Sequence, residues 1–190
     1  MKKYRVYLLI GAALILLQAG LFVRPAAAQI PLRLELLTTL SGYSEIPALS
    51  SPGRGRFRGL LNADRTEIRF TLTYDATESP VFMAHIHIGQ PMANGGIAIW
   101  FCGDPNGPVK PPATVPSSLP LCPPNGGTVE GTITASDVIG PDGQGIAVGQ
   151  FEEVVQAILR GLTYVNVHSL KYVPGEVRGQ IRIGRLTLDN

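Results

Sequence analysis

From Met83 onward, one run alternates without interruption. Ala84, Ile86 and Ile88 take one parity, and His85 and His87 take the other. Successive side chains of an extended chain point to opposite faces, so this pattern predicts a β-strand with both imidazoles on one side. The third and last histidine, His168, closes a second run of the same kind, Leu162 to His168. All three histidines therefore fall in β-type segments.

The rest of the chain follows the same rhythm. Leu32 to Leu40 alternates Leu32, Leu34 and Leu36 with Arg33 and Glu35. Gly53 to Asn62 and Thr66 to Tyr74 form two more runs, the latter with Ile68, Phe70, Leu72 and Tyr74 on one face. Gly95 to Cys102, Thr128 to Thr134 and Glu176 to Leu186 complete the set. Between the runs lie most of the 22 glycines and 16 prolines, which act as turn punctuation. One stretch differs: Phe151, Val154, Val155, Ile158 and Leu159 repeat at helical spacing, and Gly161 is placed to end that helix. The expected fold is all-β, an antiparallel sandwich or barrel of about eight strands with one short helix.

Charge divides the chain unevenly. Residues 1–28 carry Lys2, Lys3, Arg5 and Arg24 and no acid, leaving 12 basic against 14 acidic residues in the remainder. That balance gives no basic surface for nucleic acid. The positive start, the apolar stretch Val6 to Val23 and the small residues Ala26-Ala27-Ala28 read as an export signal cleaved before Gln29. The alternative is an uncleaved membrane anchor, the only route by which the chain would meet a membrane. On either reading residues 29–190 form one domain outside the cytoplasm, secreted, periplasmic or in the cell envelope.

Two cysteines, Cys102 and Cys122, bracket a loop holding Pro105, Pro108, Pro111, Pro112, Pro116 and Pro120. So many prolines exclude a central strand and place the loop on the surface. In an exported chain a disulfide between the two is the expectation. A thiolate metal site is the alternative, weakened by the absence of a close Cys-x-x-Cys pair.

The histidines carry the most specific chemistry. Two imidazoles at i and i+2, with a third from another strand, can face one ion, and imidazole suits copper and zinc. Glu45, Glu176 or water would then complete the coordination, and Asn166, Glu176 or Arg178 would support the rings from behind. The competing reading is a buried polar network that locks adjacent strands. Arg54, Arg56 and Arg58 form a basic stripe, read as a solvated face or a protected edge, with an acidic polysaccharide or lipid headgroup as the less favoured ligand. No Gly-x-Ser-x-Gly signature is present, and the adjacent pair Glu152-Glu153 points two ways on a helix, so catalysis is not expected.

Several blocks resemble the CHRD domain, named after chordin. They are Ser41-Gly42 with Glu45 and Pro47, Ala84 to Gly89, Tyr164 to Ser169, and Pro174-Gly175-Glu176-Val177-Arg178-Gly179-Gln180, in that order. The helix before Asn166-Val167-His168 and the Cys–Pro-rich–Cys insertion are similar to those of bacterial members. The sequence departs from the pattern at Tyr43-Ser44. The resemblance implies an all-β sandwich and an exported, noncatalytic module that binds an extracellular or envelope protein or matrix ligand. The alternative is a copper- or zinc-binding protein that uses His85, His87 and His168, with redox activity open to it. A third reading is a purely structural envelope domain. The His-x-His-x-Gly pattern is also similar, over a short match, to the copper strand of Cu/Zn superoxide dismutases, whose chemistry needs more ligands than three histidines supply. An exposed apolar patch would favour partner binding, and convergence of the three imidazoles would favour a metal.

Overall fold

The computed structural model describes residues 32–188. The expected export signal over residues 1–28 lies outside them. Nine strands follow in order: β1 (Leu32–Ser41), β2 (Arg54–Leu61), β3 (Ile68–Asp75), β4 (Val81–Ile88), β5 (Ile97–Gly103), β6 (Gly127–Ile133), β7 (Thr163–Ser169), β8 (Val177–Gln180) and β9 (Arg182–Leu188). Among the described residues a single α-helix, α1 (Phe151–Leu159), precedes β7. The strands pair antiparallel in the order β5-β4-β7-β8-β1-β2-β3-β6, and β9 also pairs with β1. Just beyond β6, Val138 bridges Ile99 of β5, and the Ile139 N–H donates to the Ala98 carbonyl. The two ends of the path thus meet, and the sheet curls into a nearly closed barrel. Closure hides the unpaired edges that an open sheet would expose.

The predicted strands match β1 to β7 closely, with one difference at the end of the chain. The run from Glu176 to Leu186 is two strands rather than one, because its pairing changes midway. Up to Gln180 it pairs with β7 on one side and meets β1 on the other, Arg178 opposite Ser41; the Ile181 N–H still reaches the Thr163 carbonyl, and from Arg182 only the pairing with β1 continues. Twist and closure of a barrel force such switches, and a period-two pattern does not record them.

The inner faces supply one continuous core. Leu36, Phe57, Ile68, Leu72, Ile86, Ile99, Val165 and Val167 are fully buried there. Phe101 sits 4.7 and 5.4 Å from the rings of Phe70 and Phe57. Each such side chain stabilises the fold by about 1.5–3 kcal/mol. The helix adds Phe151, Val154, Val155, Ala157 and Ile158 to this core and ends at Gly161, whose φ of +69° is left-handed.

The strand β4 is buried on both faces. Its Ala84, Ile86 and Ile88 enter the main core, while Met83, His85 and His87 take the opposite parity. On that second face Met83 packs with Phe82 and Trp100 in a separate small cluster. Val115 and Leu119 of the proline-rich loop cover the cluster, together with Ile139 and Val173. Cys102 and Cys122 are bonded, with Cα atoms 5.0 Å apart. The loop lies on the surface as expected, but it also roofs the histidine-bearing face.

The arginine stripe is not an edge. β2 lies between β1 and β3, and its arginines are exposed on the outer face, where Arg54 pairs with Asp75 and Arg58 with Glu35 at 2.8 Å each. Among the described residues no helix is long and apolar enough to cross a membrane.

Candidate metal centre

The adjacent strands β4 and β7 set the three histidines side by side. Their register places Met83 opposite His168, His85 opposite Asn166 and His87 opposite Tyr164. One ring nitrogen from each histidine lies within 4.8 Å of the other two, and all three residues are buried. His85 Nδ1 is 3.3 Å from His168 Nε2. Two nitrogens bound at roughly 2.0–2.1 Å to one tetrahedral ion would sit about 3.3–3.4 Å apart. The observed spacing is a hydrogen bond between the two rings, and it is also a spacing that two ligands of one ion could adopt.

Backbone carbonyls fix two of the rings. His87 Nδ1 donates to the Gly95 carbonyl and His168 Nδ1 to the Val173 carbonyl, each at 2.9 Å. A proton held at Nδ1 leaves the Nε2 of each ring as an acceptor, and that of His168 faces His85 Nδ1. His87 Nε2 has no protein partner, and neither does His85 Nε2. Buried polar atoms normally find partners, so two unpartnered imidazole nitrogens in this cluster leave ligand capacity unused.

Burial also sets the protonation. Desolvation holds His85 well below the ordinary imidazole range, and the neighbouring His168 and His87 add to the effect. Desolvation brings His87 down to about 4, with the charge of Arg178 acting in the same direction. It brings His168 down to about 3, assisted by His87. All three rings are neutral at physiological pH, the form that ligates a metal.

Aromatic rings wall the centre. The Tyr164 ring stacks on His87 at 4.7 Å and 3°, and the guanidinium of Arg178 lies 3.4 Å from the same tyrosine ring. Because β7 runs between β4 and β8, the tyrosine is sandwiched between histidine and arginine. Trp100 meets His85 edge-on at 4.0 Å. Tyr164 Oη accepts the Gly95 N–H at 3.1 Å, and Arg178 donates to Asn94 Oδ1 and the Ala93 carbonyl. The loop that presents the Gly95 carbonyl is thus anchored from both sides. A Cβ on Gly95 would lie 1.6 Å from the Ile88 carbonyl oxygen, so only glycine brings that carbonyl to His87.

The acidic residues stand apart. Among the described residues no carboxylate joins the cluster of donor atoms. Glu45 is buried in the company of Asn166 and Arg178, and desolvation pushes its carboxyl up to about 7 against the pull of the arginine. Glu45 Oε1 and the Asn166 amide both press on Gly175, where an added Cβ would approach each within 2.7 Å. Glu176 Oε1 instead accepts from Ser51 Oγ at 2.6 Å and from the Glu78 N–H at 2.8 Å, which clips two loops to β8. The expected support of His168 by Glu176 is supplied by the Val173 carbonyl. Arg178 holds a ring and a loop and does not pair with Glu176.

Sequence reasoning missed Tyr164, Trp100, Met83 and the two carbonyls. Tyr164 shared the parity of Asn166 and His168 and was legible on that ground; the carbonyls of Gly95 and Val173 leave no trace in side-chain identity.

No curated protein and no solved structure matches the chain. The family model described as CHRD domain matches residues 36–181, from the first core leucine of β1 to the junction of β8 and β9. That span includes every strand that positions the histidines, and the chain belongs to the CHRD domain family.

Proposed function

We propose that this chain is an exported CHRD-type module that binds a transition-metal ion, copper or zinc, through His85, His87 and His168. One observation carries the reading: three neutral, buried imidazoles bring a nitrogen each within 4.8 Å of the others. The disulfide Cys102–Cys122 supports the export part, since such bonds persist in oxidising compartments. A structural polar network alone would satisfy its own nitrogens, and His85 Nε2 and His87 Nε2 are unsatisfied. The test is the metal content of the protein recovered without a histidine tag from an oxidising compartment. Near-stoichiometric copper or zinc, lost in the double variant His85→Ala/His87→Ala, is the expected result. An empty protein after soaking with both metals, with a variant that is merely less stable, would sink the reading.

A second reading has its own observation. A groove of about 950 Å³ opens beside Glu45, and Tyr43, Met92 and Ile183 on its walls are 73%, 89% and 47% exposed. Apolar side chains so exposed mark docking surfaces, and Arg56 and Arg182 on the same walls favour an acidic envelope or matrix partner. A photo-reactive residue at position 92, activated in the intact cell envelope, should give one discrete adduct. A smear of unrelated adducts counts against docking there.

A further inference from the structure

The three-histidine centre, taken as the metal site proposed above, also carries information about which ion it accepts. We infer that the ion is monovalent copper and that the Met83 thioether supplies the soft fourth contact. Two observations converge on this.

The first is charge. All three ligands are neutral, no carboxylate among the described residues belongs to the donor group, and the Arg178 guanidinium lies behind Tyr164, whose ring stacks on His87. The cost of moving an ion from water into a buried site grows with the square of its charge. A dication with neither an anionic ligand nor a solvent-facing position is therefore penalised far more than a monocation. Zinc in addition requires a fourth ligand, usually carboxylate, thiolate or open water. Here His85, His87 and His168 are almost completely buried, and Val115 and Leu119 roof the neighbouring cluster.

The second is softness. Met83 stands on the strand face of His85 and His87, two residues before His85, and its Cα partner across β7 is His168. It is buried and packs with Trp100, whose ring meets His85. The sequence on this face thus reads Met83-x-His85-x-His87, a thioether and two imidazoles in register with a third. Thioether sulfur discriminates for monovalent copper over zinc and over harder ions. Both cysteine sulfurs of the chain are consumed in the disulfide.

The experiment titrates the exported, disulfide-bonded protein with Cu(I) against a chromogenic Cu(I) chelator, in parallel with Zn(II). The lone tryptophan, Trp100, reports occupancy by quenching. The expected result is one Cu(I) per chain, bound roughly 100-fold or more tighter than Zn(II). Met83→Leu should weaken Cu(I) binding about tenfold and leave Zn(II) binding unchanged. X-ray absorption of the unmodified copper-loaded protein should show a sulfur scatterer beside nitrogen, which tests Met83 even if the variant folds poorly. Zinc binding as tight as copper, with both lost in His85→Ala/His87→Ala, overturns the copper inference and leaves the three-histidine centre standing. Copper binding unchanged in Met83→Leu, with no sulfur scatterer, overturns the role of Met83. Failure of both metals to bind, or binding retained in the double histidine variant, overturns the underlying reading itself.

Discussion

At the scale of single residues, the buried histidines set how this protein responds to acid. Their folded-state pKa values lie below the ordinary 6.5, at about 4 for His87 and about 3 for His168. The unfolded chain therefore takes up protons first on acidification. The stability these residues contribute is complete above pH 6.5 and is lost as pH falls through 4 and then 3. Glu45 has the opposite sign: its carboxyl rises from 4.5 to about 7, so its contribution is complete below 4.5 and is lost as pH rises to 7. Three histidines outweigh one glutamate. Urea unfolding of the metal-free protein at about pH 7.5 and about pH 5 should show a lower midpoint in acid, worth about 2 kcal/mol for each buried histidine. His87→Gln should lose less on the same change of pH, and equal sensitivity in the two proteins would show that His87 is not buried neutral. The histidine pair was legible in the sequence because period-two alternation fixes which side chains share a face. Glu45 and Glu176 are candidates for a fourth ligand on residue type alone, since a carboxylate can complete an imidazole site. Register and loop packing sent them instead to Arg178 and to Ser51.

At the scale of elements, the proline-rich loop is a roof as well as a staple. It leaves the barrel at Cys102, adjoining Trp100 on β5, and returns at Cys122, with Val115 and Leu119 laid over Phe82, Met83 and Trp100. Proline stiffens this span in the unfolded chain, and the bridge closes it. Removing the bridge with Cys102→Ser/Cys122→Ser should cost about 3 kcal/mol in the chain-entropy account, or about 6–12 °C in thermal midpoint. The same variant should shift Trp100 emission to longer wavelength as water reaches its edge, and should speed exchange of bound metal. An unchanged emission spectrum would mean the loop packs without the bridge. Composition announced the loop and the bridge, whereas the roofing contacts depend on two apolar residues among many turn residues. The break at Ile181 was hidden for a related reason, since β8 and β9 carry one continuous pattern and both meet β1, and only β8 also pairs with β7.

At the scale of the whole molecule, the barrel separates its stabilising core from its chemistry. The main core lies inside and reaches from Leu36 to Ile181 without a histidine. The histidines occupy the outer face of β4 and β7, under loops that begin and end elsewhere in the chain. Two consequences follow from this division. His85→Ala/His87→Ala should leave a folded β-barrel, because the packed interior is untouched, although the polar face loses contacts. A bound ion, for its part, should tie together β4, β7 and, through Gly95 and Val173, the two loops that hold the rings. Binding to the folded state alone stabilises by about 4 kcal/mol at a free ion concentration near 1,000 times the dissociation constant. For a domain of this size that is about 8–16 °C of thermal midpoint. The wild-type protein should show that rise when loaded with metal, and the double histidine variant should show none at the same metal concentration. A rise of equal size in both proteins would place the bound ion on some other surface and return these histidines to a structural role.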